Sequence, residues 1–182
     1  MFALPLTLDE ERAAPKLNKP MDEAKFDAFY RLVAPSLWAY LNRLAGDAAV
    51  ADDLLQKAFI NLLRANPVFA SDEHMRRYVF RIATNLAMDH FRETKRRPMF
   101  DAATAVAAVD HDLRHDVQRI FKELKPQERA LLWLAHVEES SHHDIGEALG
   151  VQEKSVKVLL FRARKRLGDL LKRSGIGPEV LR

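Results

Sequence analysis

Three stretches in the first half of the chain space their apolar residues by three and four, as an amphipathic helix does. They cover residues 25–45, 48–64 and 74–92. Three such stripes can close on each other as a compact bundle. The alternation typical of strands is nearly absent, so the pattern predicts an all-α fold. The segment "NPVFASDE" (66–73) is expected to be the loop before the third helix, with Ser71 or Asp72 as its cap.

The pattern then breaks and resumes. Residues 98–112 combine a proline, small residues and acids without a strong apolar stripe, which indicates a flexible linker between two small helical domains. Helical spacing returns at Leu113, and Pro126 suits the first turn of a helix over 127–138. Gly175 is expected to end the last helix. The predicted organisation is an extension (1–21), a first domain (22–97), the linker (98–112), a second domain (113–174) and a tail (175–182).

The second domain has the pattern of a helix-turn-helix. Gly150 supplies a turn with positive φ, and Gly146 stands where a larger side chain would push the two helices apart. The apolar positions that would hold the two helices together are Ile145, Leu149, Val156 and Leu160. An ordinary helical hairpin is the alternative that these residues leave open.

Charge distinguishes two regions of the chain. The net charge is only +3, with 29 Lys and Arg against 26 acids, and alone it does not indicate a nucleic-acid ligand. Residues 152–173, however, hold eight cations and two acids, and residues 74–97 hold seven cations and two acids. Two basic helices on an otherwise acidic chain are suited to phosphate contacts, whereas a merely solvated face more often mixes its signs.

Other classes of protein find little support. The chain has no cysteine, which excludes disulfides and suits a reducing compartment. No apolar run approaches the roughly 18 residues that span a bilayer, and the N-terminus is a poor signal peptide, so a cytoplasmic protein without membrane insertion is expected. No nucleophile–base pair or phosphate loop suggests an enzyme or a cofactor. His111 and His115 could begin a metal site, but no third ligand is evident and a solvated helix start is favoured, so no metal is predicted.

Four segments, in order, carry a resemblance to a known family. "DDLLQKAFINLLR" (52–64) and "RRYVFRIATNLAMDHFRETKRR" (76–97) lie in the first domain, and "LKPQERALLWL" (124–134) and "HHDIGEALGVQEKSVKVLLFRARKRL" (142–167) lie in the second. The chain resembles sigma factors of the sigma-70 family, in the extracytoplasmic-function (ECF) group, over residues 22–173. The resemblance implies a promoter-specificity factor that binds core RNA polymerase, recognises the −10 and −35 promoter elements and initiates transcription.

The resemblance also assigns residues to the −10 element. The loop before the third helix is similar to the family's base-capturing loop, and Asn85 could either read a base edge or make an internal polar contact. Tyr78 and Phe80 could stack on bases, but core packing is favoured for Tyr78. The residues that the resemblance assigns to −10 DNA are Ser71, Asp72, Arg77, Arg81, Asn85 and Arg92.

The helix after Gly150 is expected to lie in the major groove at the −35 element. Val158 and Leu159 stand where the family has a Ser-Arg pair. Either the helix packs differently, or it reads thymine methyls, or it offers an apolar face to a regulator. The residues that the resemblance assigns to −35 DNA are Gln152, Lys154, Ser155, Lys157, Arg162, Arg164 and Lys165.

Partners follow from the resemblance. The "DDLLQKAF" segment, with Asp53, Leu55 and Gln56, is expected to contact the β′ clamp helices of core polymerase, although a solvated helix face is the simpler interpretation. The β flap, promoter DNA and an anti-sigma protein are the other expected partners, and the free chain is expected to be a monomer. The main alternative is a dimeric helix-turn-helix regulator that acts without a sigma role. A structural helical protein without nucleic-acid binding is a third possibility.

Overall fold

A computed structural model of the chain describes residues 22–65, 69–96 and 113–176, and for residues 113–116 it describes the backbone alone. The described residues form α-helices joined by short turns, and they contain no strand. The helices are α1 (Glu23–Ala45), α2 (Ala48–Ala65), α3 (Asp72–Arg96), α4 (Leu113–Lys122), α5 (Pro126–His136), α6 (His142–Leu149) and α7 (Glu153–Arg173). The all-α prediction is confirmed. The predicted extension, the linker with His111 and residues 177–182 of the tail lie outside the described residues.

Helices α1 to α3, the N-terminal half, bury the predicted stripes against each other. Leu37, Leu41 and Leu44 of α1 are fully buried in this core. Gly46 ends α1 at φ +73°, and the Asp47 carboxylate then accepts the backbone N–H groups of Ala49 and Val50, at 2.8 and 3.2 Å, at the start of α2. A left-handed glycine followed by an acidic cap reverses the chain within a few residues.

Helix α3 is longer at both ends than the predicted 74–92. The Ser71 hydroxyl accepts the backbone N–H of His74 at 3.1 Å, so Ser71 caps the helix as expected. Unpaired N–H groups at a helix start favour such a cap. The extension at the other end is polar, and apolar spacing therefore could not reveal it.

Helices α4 to α7, the C-terminal half, contain the helix-turn-helix. Ile145 and Val156 are fully buried between α6 and α7. A Cβ on Gly146 would lie 2.9 Å from the Val151 carbonyl oxygen, and Gly150 has φ +64°. Both glycine predictions are confirmed. Helix α5 has Pro126 in its first turn as predicted, but it spans Pro126–His136 instead of 127–138, and Glu139 in the following turn has φ +50°.

The two halves share one core, which the sequence does not predict. Tyr40 of α1 is fully buried, with ring centroids 5.5 Å from Phe80 of α3 and 6.0 Å from Trp133 of α5. Buried residues of α5, α6 and α7 belong to the same apolar cluster as those of α1 to α3. We call this packing of the halves the closed arrangement. It brings the two basic helices, α3 and α7, into one compact molecule.

No helix in the described part of the chain combines the length and apolarity needed to cross a membrane.

Candidate nucleic-acid interface

The exposed side of α3 carries a row of polar and cationic side chains. Arg77, Arg81 and Asn85 recur every four residues and therefore lie on one side of the helix. The Asn85 side chain is exposed and makes no hydrogen bond within the described residues, which favours a role at a surface over an internal contact. Arg92 continues the row two turns later, where it pairs with Asp89 at 3.1 Å. The row suits a strand of nucleic acid that runs along the helix.

The loop before α3 presents its polar groups to solvent. Ser71 and Asp72 are both exposed, and Asp72 lies 3.9 Å from Lys25. Because the Ser71 hydroxyl only accepts in its cap bond, its proton stays available to another acceptor. A cleft of about 290 Å³ opens between this loop, α3 and α6. Its lining includes Ser71, Arg77, Tyr78 and Arg81 on one side and His143, Asp144 and Glu147 on the other.

Aromatic residues of α3 divide between core and surface. Phe80 is 4% exposed and belongs to the shared core, so it is not available to stack on a base. Tyr78 is half-buried, packs against Phe69 at a ring-centroid distance of 5.3 Å and lies beneath the Arg81 guanidinium at 5.0 Å. The expected packing role of Tyr78 therefore holds, while its edge still lines the cleft.

The second basic surface is the outer side of α7. Gln152 occupies the N-cap position, and Lys154 and Lys157 are exposed on the first turns. Ser155 is half-buried, so the structure places it less favourably than its neighbours. The cations further along the helix are also exposed, namely Arg162, Arg164 and Lys165. Arg164 additionally donates to the His136 ring at 3.2 Å.

The two residues of the unusual Val158–Leu159 pair differ in burial. Leu159 is half-buried against the core, next to the fully packed Leu160. Val158 is 49% exposed and Phe161, one turn later, is 65% exposed. The helix thus keeps the packing of a helix-turn-helix and presents two apolar side chains among its lysines and arginines. Both the thymine-methyl and the regulator interpretations remain open for this pair.

Two comparisons with known families match these same helices. The family description "Sigma-70 region 2" matches residues 29–97, which contain α3, and "Sigma-70, region 4" matches residues 114–167, which contain the helix-turn-helix. Together the two regions cover most of the chain in the order of the family. The chain belongs to the sigma-70 family of RNA polymerase sigma factors.

Curated relatives agree with this membership, and a solved structure shares the fold. The chain is 26% identical to the RNA polymerase sigma factor CarQ of Myxococcus xanthus over 154 residues, covering 80% of this chain and 88% of CarQ. It is 26% identical to the ECF RNA polymerase sigma factor SigM of Bacillus subtilis, covering 84% of this chain and 98% of SigM. The structure of RpoE from Bartonella quintana, solved in complex with the anti-sigma factor NepR, superposes with a TM-score of 0.65 at 22% identity, over 81% of this chain and 97% of that one. The protein is an ECF sigma factor, and its function is promoter specificity in transcription initiation.

The segment assigned to polymerase contact is only partly available in this sigma factor. Asp53 and Gln56 are exposed on α2, and Asp53 pairs with Lys57 at 2.6 Å. Leu55, in contrast, is 9% exposed and packs in the N-terminal core. The surface predicted to contact polymerase is therefore limited to the polar side of α2, and Leu55 supports that surface from below.

An apolar groove on the C-terminal half of the sigma factor is not evident from the sequence. It encloses about 410 Å³ between α5 and α7, and Val137 at its rim is 56% exposed. Its lining includes Phe121, Leu132, Trp133, Leu167 and Leu171. The spacing of Leu167 and Leu171 by four is the sequence feature that could have indicated the groove, but it is indistinguishable from the spacing of an ordinary core stripe.

Arg129 of α5 is a further residue that the sequence does not single out. It is 7% exposed, donates to the Arg43 carbonyl oxygen at 3.3 Å and lies 5.8 Å from the Phe91 ring centroid. No carboxylate of the described residues pairs with it, and its Nε lacks a partner there. Burial lowers the pKa of this guanidinium, which nevertheless stays charged. Arg129 therefore ties α5 to the N-terminal half through a carbonyl at the end of α1.

Proposed function

We propose that this sigma factor binds core RNA polymerase through α2 and the α5–α7 groove, and reads the promoter with α3 and α7. The row on α3 and the loop around Ser71 would take the −10 element, where an extruded base enters the cleft. The exposed first turns of α7 would take the −35 element in the major groove. The observation that carries the proposal is the presence of an exposed cationic surface on each of the two regions that match the family.

The chemistry of the side chains supports this assignment of surfaces to DNA and to polymerase. Asn85 offers both a donor and an acceptor to one base edge, whereas the arginines around it suit phosphate. Gln152 and Lys154 lie at the N-terminal end of α7, which enters the groove first in a helix-turn-helix, and the later cations suit the backbone. Asp53 and Gln56 offer acceptors and an amide to the β′ clamp helices, and the apolar groove suits an apolar segment such as the β flap.

Run-off transcription with core polymerase on the organism's own promoters tests the proposal. Asn85→Ala and Lys157→Ala are compared with the parent protein and with Arg31→Ala, which removes an exposed cation of α1 outside both surfaces. A base-reading contact is worth about 1–3 kcal/mol, so Asn85→Ala is expected to lower promoter-dependent transcript about fivefold or more. Arg31→Ala is expected to behave like the parent.

The alternative of a dimeric regulator makes opposite predictions. It requires a dimer in sedimentation velocity and tight duplex binding without polymerase, whereas the sigma proposal requires a monomer. A dimer that binds duplex tightly and gives no transcript with core polymerase would exclude the proposed roles of α2 and α3, and would leave α7 as the DNA-binding helix of a regulator.

An anti-sigma protein is the further partner that we propose. The B. quintana structure was solved with such a partner, and the present chain shares its fold. Val158 and Phe161 supply an exposed apolar pair on α7 that a regulator could cover. Co-expression with a neighbouring-gene candidate, followed by the run-off assay, is expected to show loss of transcript that Phe161→Ala restores. Equal inhibition of the parent and Phe161→Ala would remove Phe161 from that contact.

A further inference from the structure

We infer that Val158 is a specificity-determining residue of α7, and that it recognises the C5-methyl group of a pyrimidine in the major groove of the −35 element. The inference rests on the proposed −35 role of α7 and names the chemical group that this helix reads. It depends on the direction of the Val158 side chain, on the charges around it and on what a valine can recognise.

The Val158 side chain points away from the core of the helix-turn-helix. Val156 and Leu160 are buried on the inner side of α7, where α5 and α6 pack. An α-helix turns by about 100° per residue, so Val158 lies about 200° from Val156, on the opposite side of the helix. Val158 is accordingly exposed, although valine is most often a buried residue. The outer side of α7 therefore presents a branched apolar group close to its centre.

Cations surround Val158 on this outer side. Lys154 lies one turn before Val158. Lys157 lies about 100° around the helix to one side of Val158, and Arg162 lies about 40° to the other. All three cations are exposed. When a helix lies in the major groove, its outermost side chains meet base edges and its flanking side chains meet the phosphates of the two walls. Phosphate contacts of the flanking cations therefore turn Val158 toward the bases.

Val158 also lies in the part of α7 that enters the groove first. Helix α7 begins at Glu153, so Val158 is in its second turn, about 8 Å along the axis. The N-terminal residues of a recognition helix are the ones that contact base edges. A valine in a helix keeps mainly one rotamer because it is branched at Cβ, so its two methyl groups hold a fixed direction and lose little freedom on binding.

The major groove offers such a side chain a single kind of apolar group. Guanine presents two acceptors, adenine and cytosine present amino donors, and thymine adds a C5-methyl group to its acceptor. Valine neither donates nor accepts, so a polar base edge beneath Val158 would lose water without gaining a hydrogen bond. Methylated cytosine carries its methyl group at the same ring position as thymine. The group that fits Val158 is therefore a pyrimidine C5-methyl, from thymine or from 5-methylcytosine.

The test removes the methyl group from the DNA and the branched side chain from the protein. Uracil differs from thymine only in lacking the C5-methyl group, so promoter templates with one −35 thymine at a time replaced by uracil isolate its contribution. Run-off transcription at sub-saturating holoenzyme compares the parent with Val158→Ser on a promoter that is active with the parent. At one position we expect the parent to lose about fourfold on replacement, as burial of one methyl group predicts. Val158→Ser should use the thymine and uracil templates equally, because the two groups in contact are coupled.

Two control variants separate methyl recognition from general effects. Lys157→Ala should weaken the use of thymine and uracil templates by the same factor, because a phosphate contact does not sense the base. Leu32→Ser removes an exposed apolar side chain of α1, outside the surfaces assigned to DNA and polymerase, and should keep the thymine preference of the parent. Val158→Ala, which has a higher helix propensity than the parent residue, repeats the comparison if circular dichroism shows that Val158→Ser is poorly folded.

The source of the methyl group is decided by a second set of templates. Each −35 cytosine is replaced in turn by 5-methylcytosine. A gain of about fourfold with the parent that Val158→Ser lacks assigns the contact to methylated cytosine. An effect of uracil without any effect of 5-methylcytosine assigns it to thymine. Either result supports recognition of a C5-methyl group by Val158.

The outcomes separate this inference from the proposed function. A parent that shows no methyl preference at any −35 position overturns the inference, and so does a preference that persists undiminished in Val158→Ser. Failure of core polymerase to give a promoter-dependent transcript with the parent overturns the proposed function instead. In that case fluorescence anisotropy of the free chain, with thymine and uracil forms of the −35 duplexes, still decides whether Val158 reads a methyl group.

Discussion

Tyr40 shows how a single side chain is fixed where α1, α3 and α5 meet. Its hydroxyl lies 2.8 Å from the Thr84 hydroxyl, which in turn donates to the Phe80 carbonyl at 2.7 Å. Because the only proton of Thr84 is used in that bond, Tyr40 is the donor. Burial is the main reason that the pKa of Tyr40 is raised above its ordinary value, with a smaller opposing effect of the hydrogen bond to Thr84.

Tyr40→Phe is predicted to reveal this shift through the pH dependence of unfolding. Below about pH 10 the phenol is neutral in both states, and removal of the hydrogen bond should lower the free energy of unfolding by about 1 kcal/mol. Above about pH 10 the unfolded parent loses the phenol proton and the folded parent does not, so the parent is destabilised by an effect that the variant lacks. Urea unfolding followed by circular dichroism from pH 7 to 11 should show that the parent loses its advantage in free energy of unfolding over Tyr40→Phe as the pH rises. A difference between the two proteins that stays constant with pH would contradict the prediction.

Gly146 is a second position where a single added atom would disturb the packing, because its Cα faces the Val151 backbone closely. Gly146→Ala would place a methyl 2.9 Å from the Val151 carbonyl oxygen, and we expect it to lower the free energy of unfolding by about 1–3 kcal/mol. Gly168→Ala is the matched control, because it lies within α7 with open space around its Cβ. A helical alanine there should add up to about 1 kcal/mol. Thermal unfolding measures the stability of both variants against the parent. Similar changes of stability in the same direction for Gly146→Ala and Gly168→Ala would contradict the prediction.

At the scale of the helices, apolar spacing was sufficient to predict which segments are helical, but it located the ends of those helices less accurately. The first two helices match their predicted ranges closely because their apolar stripes run their full length. The ends of α3 and α5 differ, since the end of α3 is polar and α5 stops before the turn at Glu139. The exposed cations of both surfaces were also predictable, because charge clusters and motif positions are local. Burial of Leu55 and partial burial of Ser155 were not, because neighbouring helices determine them.

The charge on α7 is predicted to act through phosphate contacts. Lys157→Ala should reduce the slope of log affinity against log salt, measured with −35 duplex, by about 0.9, because it removes one cation from the phosphate backbone. Lys172→Ala, in the last turn of the same helix and away from the proposed groove contact, is expected to leave the slope nearly unchanged. Equal slopes for Lys157→Ala and the parent would show that Lys157 does not meet the phosphate backbone.

At the scale of the whole molecule, contacts between residues far apart in sequence create a single core. Arg76 and Glu138 are 62 positions apart, and Arg81 and Glu147 are 66 apart. Neither pair forms a motif, because local spacing carries no information about partners at that separation. The sequence therefore predicts two domains and their surfaces, but not the packing of the two halves against each other.

A shared core predicts that the two halves unfold together. Each half has one tryptophan, Trp38 in α1 and Trp133 in α5, so Trp133→Phe and Trp38→Phe leave a single reporter in the N-terminal and C-terminal halves respectively. Within each variant, the urea midpoint of tryptophan fluorescence should coincide with that of circular dichroism, as a cooperative transition requires. Two separated transitions would indicate that the halves are independent in solution.

Phe80, Leu134 and Ala148 are each 4% exposed or less where the two halves meet. Parting of the halves wets these side chains and gives every copy of the chain an adhesive patch that other copies could share. The packing of the two halves therefore also keeps these side chains out of water, and a variant in which the halves separate is expected to form oligomers as its concentration rises.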